Sequence, residues 1–158
     1  MRLHRPLLPL AAVLLTLPAV ALAASQPPRP LGGSWKVTPS AFDLTKGGSF
    51  KVNRSSRSVS ALKITPGSGA NSACGTTAVR VKGRLAISKA SRGGSSVWIV
   101  GRNTPKTSDG ISPIKVSAVA NGETVSGKLK IAFRGRRGGS GELELPGCQL
   151  FFDAKRPR

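Results

Sequence analysis

Three sets of residues in this 158-residue chain have the types and spacing of known chemistry. Gly122 to Lys128 (GETVSGK) fits the G-x-x-x-x-G-K frame whose backbone N–H groups cradle phosphates. The next residue is Leu129, not the Ser or Thr that holds magnesium, and the segment reads as a turn and a strand. Ser60-Ala61-Leu62-Lys63 matches S-x-x-K, and Lys106-Thr107-Ser108 loosely matches K-T-G. These are pieces of the serine enzymes that bind penicillin. Such enzymes set the Ser–Lys pair on a helix, whereas Ser60 lies in a β-rich run. Carboxylates could pair for glycoside hydrolysis. Glu142 and Glu144 lie on the outward face of one expected strand, and Asp43, Asp109, Glu123 and Asp153 lie in or near turns. Solvated surface charge accounts for all six.

The N-terminus removes further options. Arg2, His4 and Arg5 precede an apolar run from Leu7 to Leu22, and Ala21-Leu22-Ala23 fits the A-x-A cleavage pattern of a secretory signal peptide. Cleavage after Ala23 would take away the only His and the only Met. Lys plus Arg would fall from 25 to 23 against 6 carboxylates, a mature charge of about +17. A chain with neither His nor Tyr is poorly equipped for general acid–base catalysis, a His-ligated metal or a Ser-His-Asp triad. We expect no enzyme, no metal and no cofactor. A run of about 16 apolar residues holding two prolines is short for the roughly 20 that span a bilayer. The expected mature chain therefore has no transmembrane segment, and its localisation is extracellular or envelope-associated.

Cys74 and Cys148 are an even pair in a chain expected to be exported, which reads as one disulfide. It would close a loop of about 75 residues, worth roughly 4 kcal/mol on the chain-entropy argument.

The basic excess is the remaining chemical signal. Lys115, Lys128, Lys130 and Arg134 are expected on one outward sheet face, next to Arg136 and Arg137 in the following turn. Two readings stand. One is a solvated basic surface reflecting composition. The other is a polyanion site for anionic cell-envelope polymer or lipid headgroups. Nucleic acid is not expected, because the two Trp and five Phe fall mostly on core-facing positions and leave no stacking platform.

These residues need strands to position them. Residues 24–32 carry three prolines and read as an extended linker. From Trp35 the pattern is strand, turn, strand, with no apolar stripe at helical spacing. Phe50 and Val52 alternate with polar neighbours, as do Val79, Val81, Leu85 and Ile87, with a break expected at Gly83. Val97 to Val100 is continuously apolar and suits a strand covered on both faces. The parity slips between Ala61 and Leu62, the mark of a bulge.

Asn121-Gly122 suits a two-residue type I′ turn. That turn sets Ile114 opposite Leu129, Lys115 opposite Lys128, Val116 opposite Gly127 and Ala118 opposite Val125. A second hairpin is expected through Gly135 to Gly141. Two registers keep Ile131 and Phe133 on the face of Leu143 and Leu145. One sets Lys130 opposite Glu144, and the other sets Arg134 opposite Glu142.

With these strands placed, the chain resembles a group of uncharacterised exported proteins of high-GC bacteria, each with a signal peptide, a Pro-rich spacer and one small β-sandwich-like domain. The matching residues are Gly33-Ser34-Trp35, Gly48 to Val52 (GSFKV), Cys74, Val125 to Leu129 (VSGKL), Gly138 to Gly141, and Cys148 to Lys155 (CQLFFDAK). The resemblance implies export and a β fold, and carries no catalytic residue.

The expectation is thus an all-β chain: one small antiparallel sandwich or barrel of about eight to ten short strands with one disulfide. Residues 1–23 are the signal peptide, 24–32 the linker, 33–154 the domain and 155–158 a basic tail. The domain is taken as a monomer with an unidentified partner.

Overall fold

The computed structural model describes residues 26–39, 41–92 and 94–158, so the expected cleavage site at Ala23 lies outside the described residues. Thirteen strand segments account for nearly all regular structure. They are β1 (Gly33–Thr38), β2 (Thr45–Val52), β3 (Ser58–Pro66), β4 (Val79–Val81), β5 (Arg84–Ala86), β6 (Ser88–Arg92) and β7 (Ser95–Val100). There follow β8 (Arg102–Asn103), β9 (Ile111–Ser112), β10 (Ile114–Ala120), β11 (Glu123–Arg134), β12 (Gly138–Leu145) and β13 (Cys148–Lys155). Eight of them run in the antiparallel order β10-β4-β3-β2-β1-β13-β12-β11, and β11 pairs back to β10. The sheet closes on itself. The fold is therefore a barrel, the second of the two all-β architectures expected, with five more segments than its eight staves. β5 pairs with β3, β7 and β6 extend from β11, and β8 and β9 pair with each other.

An eight-stranded barrel is just wide enough for side chains to fill. Here Trp35, Phe50 and Phe133 meet at the centre, with Trp35 stacked on Phe50 at 5.6 Å and edge-on to Phe133 at 5.4 Å. Leu62, Ile64, Leu129, Ile131, Leu143 and Leu150 fill the space around them. β7 is covered on both faces, as its apolar run implied. Trp98 and Val100 enter the barrel core, while Ile99 packs outside with Ala90 and Ile111.

Local signals set several of the joints. Asn121 and Gly122 both have positive φ (52° and 81°), and the register between β10 and β11 is the expected one at every pair. The bulge falls where parity slips, with Ala61 at φ 52° and the β2–β3 register shifting between Ser49 and Lys51. The break at Gly83 separates β4 from β5.

The second hairpin departs from both expected registers. Its connection is only Gly135 to Arg137, and β12 already begins at Gly138. Lys130 therefore faces Glu142, Lys128 faces Glu144 and Arg134 faces Gly138. The glycines taken for a turn belong to a strand, and at Gly141 bulk is forbidden. A Cβ on Gly141 would lie 2.3 Å from the Phe152 ring.

The barrel ends are covered by different devices. At one end Cys74 and Cys148 form the disulfide, with Cα atoms 4.9 Å apart. It ties the β3–β4 loop to the start of β13, and both cysteines are buried in the core. At the other end residues 26–32 form no strand but are fastened down. The Trp98 indole N–H donates to the Pro27 carbonyl at 2.8 Å, and the Trp35 indole to the Leu31 carbonyl at 2.9 Å. The Arg29 guanidinium lies 4.1 Å from the Trp98 ring centroid, and the Arg156 Nε donates to the Gly32 carbonyl at 2.8 Å.

Candidate functional site

The expected cationic face exists as a set of neighbours, yet three of its members are neutralised. Lys115 and Lys128 are directly opposed across β10 and β11. Lys128 also lies 3.5 Å from Glu144. The Lys130 Nζ sits 3.0 Å from an Asp109 oxygen and 3.3 Å from a Glu142 oxygen, and Arg134 reaches Asp153 at 4.0 Å. The opposite-charge pairing expected on this face occurs with other partners and extends to three of its cations. Glu142 and Glu144 arrive through the register of β12, Asp153 from β13 and Asp109 from the loop between β8 and β9. Arg136 and Arg137 lie apart at the barrel end. Their carbonyls accept from the Leu31 and Arg156 backbone N–H groups at 2.9 and 2.8 Å.

Burial pushes the Asp109 carboxyl up, but the Lys130 ammonium and the Ile111 N–H more than offset it, and its pKa lies below the ordinary value. Burial likewise pushes Lys130 down, and its bonds to Asp109 and Glu142 reverse this, so its pKa is raised. Asp109 and Lys130 stay ionised over the whole neutral range.

The same triad forms one wall of an open cleft of about 520 Å³. Ile111, Ala132, Phe151 and Phe152 supply apolar surface, and Arg134, Ser140 and Asp153 continue the polar wall. Phe42, in the short 3-10 turn Ala41–Asp43, stands at the rim. Phe42 and Phe151 are the only large apolar side chains exposed among the described residues, at 86% and 39%. Nothing in the sequence set Phe42 apart.

A second cationic region was also missed. Lys155, Lys36, Ser49, Lys63 and Arg80 are successive cross-strand partners on β13, β1, β2, β3 and β4. Ser34, Lys51, Ser60 and Arg84 make a second row beside it. Strands sit about 4.8 Å apart, so the first row wraps about 20 Å of surface. β1 to β5 carry Lys36, Lys46, Lys51, Lys63, Arg80 and Arg84 and no carboxylate at all. All six are exposed, and among the described residues none comes within ion-pair distance of a carboxylate. Alternation shows that each points outward, but only the strand order reveals that they adjoin.

The catalytic look-alikes fall in this framework too. Gly122 to Lys128 is the β10–β11 turn and the start of β11, and Ser60 lies beside the β3 bulge, opposite Lys51 and Arg84. Among the described residues no group of three or more His, Cys, Asp or Glu is placed to hold a metal, and no helix is long and apolar enough to cross a membrane.

The class defined by this geometry is a closed, disulfide-linked antiparallel barrel with a cationic side and an acid-containing cleft. The chain matches no protein-family model, no curated protein and no solved structure.

Proposed function

We propose that this protein is an exported, non-enzymatic binding module, held at the cell envelope by anionic polymer along the cationic side formed by β1 to β5 and Lys155. The observation that carries this reading is the segregation of charge. Six cations and no carboxylate lie on β1 to β5, whereas five of the chain's six carboxylates lie on or beside β11 to β13. Like charges on neighbouring strands oppose folding. A polyanion laid across them turns repulsion into attraction and releases its counterions. A polymer is favoured over a bilayer because no large apolar side chain is exposed among these cations to enter a membrane.

Retention on polyphosphate resin across a salt series tests the reading. Replacing Lys36, Lys51 and Lys63 with Gln should lower the slope of log K against log salt by about 2. Replacing Lys115, Lys128 and Arg136, an equal loss of charge elsewhere, should change it by less than half as much. Equal losses would show that net charge alone does the binding. Tighter binding to phosphatidylglycerol vesicles than to polyphosphate would put lipid in place of polymer.

A further inference from the structure

Phe42 is both exposed and conformationally forced. Its backbone is left-handed (φ 77°, ψ 11°), a region that bulky side chains rarely adopt, and Asp43 follows at φ 52°. The turn Gly67-Ser68-Gly69 imposes this geometry. The Gly67 and Gly69 N–H groups donate to the Leu44 and Asp43 carbonyls, both at 3.1 Å. The backbones approach so closely that a Cβ on Gly67 or Gly69 would lie 1.9 Å from the Asp43 oxygen or 2.1 Å from the Phe42 oxygen. The protein thus holds a strained aromatic in solvent through a turn that only glycine permits. Strain of this kind, where the surroundings over-determine it, gathers at ligand-binding sites.

What Phe42 overlooks is consistent with such a role. The cleft of about 520 Å³ is within the roughly 300–1,000 Å³ of small-ligand sites. Phe151 supplies a second exposed aromatic beside Glu142, its direct cross-strand partner; Lys130 and Asp109 continue the row, with Arg134 and Asp153 alongside. Three carboxylates against two cations leave this region formally anionic in a strongly basic chain. Anionic ligands are therefore disfavoured here, while the cations of β1 to β5 attract them elsewhere. A neutral ring with one C–H face and many hydroxyls is the complementary shape. Its C–H groups meet the electron-rich faces of the phenyl rings. Its hydroxyls donate to carboxylate oxygens and accept from Lys130, Arg134 and the Ser140 hydroxyl.

We propose that the cleft between the Phe42 turn and the Asp109–Lys130–Glu142 triad binds a neutral pyranose unit of a glycan. The site is independent of the cationic side, and either assignment can fail alone. Cellotetraose and chitotetraose serve as probes, titrated into the full chain and followed by NMR or calorimetry. At least one should bind saturably with a Kd of about 1 mM or tighter, and binding should persist in about 0.5 M salt. Phe42→Ala leaves the core untouched and keeps the same Cβ at the left-handed φ, so the variant should fold as the wild type does and bind at least tenfold more weakly. Phe151→Ser should weaken binding similarly. The Lys36, Lys51 and Lys63 triple variant should bind the probes as the wild type does. No saturable binding of either tetramer at about 10 mM, or binding that survives Phe42→Ala, would overturn the proposal. So would a concentration-dependent dimer that Phe42→Ala abolishes, because a second copy would then occupy the cleft.

Discussion

Lys130 on β11 and Glu142 on β12 are direct cross-strand partners, and Asp109 from a distant loop closes on the same ammonium at 3.0 Å. One cation thereby joins the barrel wall to the β8–β9 loop. The Lys130 side chain is 29% exposed and those of Asp109 and Glu142 are 28% and 20% exposed, so solvent screens the cluster only in part.

Its contribution should depend on pH at both extremes. Asp109 titrates below its ordinary 3.8 in the fold, so its stabilisation is present above that value and lost as pH falls through the lowered one. Lys130 titrates above its ordinary 10.5, so its share is complete below that and lost as pH rises through the raised one. Lys130→Met should cost about 1 kcal/mol at neutral pH. The Tm gap between variant and wild type should be constant over about pH 5 to 9 and narrow towards both pH 2 and pH 12. A gap independent of pH would mean that the side chain acts by packing alone.

The disulfide should be a major stabiliser. It links residues 74 positions apart in sequence and lies within the core. Replacing both cysteines with Ala should lower unfolding free energy by about 2–5 kcal/mol, read from guanidinium denaturation. Two titratable thiols in the native protein would show that the bridge does not form.

Gly141→Val should be among the most damaging single changes on β12. The new Cβ would meet the Phe152 ring at 2.3 Å and the Lys130 carbonyl at 2.9 Å. We expect a loss of about 1–3 kcal/mol or more. Ser117→Ala, on the exposed face of β10, should stay within about 0.5 kcal/mol. Comparable denaturation midpoints for the two would exclude the β11–β12–β13 packing described here.

Alternation and turn chemistry made the local pairing legible. Asn121-Gly122 defined one register, because its two-residue turn pairs Ala120 with Glu123, and Val116, Ala118 and Leu129 then share a face. The next hairpin was harder because alternation constrains a register only to steps of two residues, and Gly138 to Gly141 gave the same local signal as a turn. The reason for Gly141, room for the Phe152 ring, comes from β13. The site was hidden for a similar cause. Asp109 and Asp153 reach Lys130 and Arg134 only through the tertiary fold, and Lys36 meets Lys155 only because β1 and β13 are neighbours. Outward direction is written locally in the sequence, but adjacency across the barrel is not.

That last pairing has a bearing on how the chain is made. β1 and β13 are the first and last strands, and the barrel has no closed wall until they meet. A chain arriving N-terminus first holds β1 to β4 with an open edge until Cys148 to Lys155 have followed. Barrels built from such distant pairings fold on a scale of about milliseconds to seconds. Before closure, the exposed edge can pair with another chain.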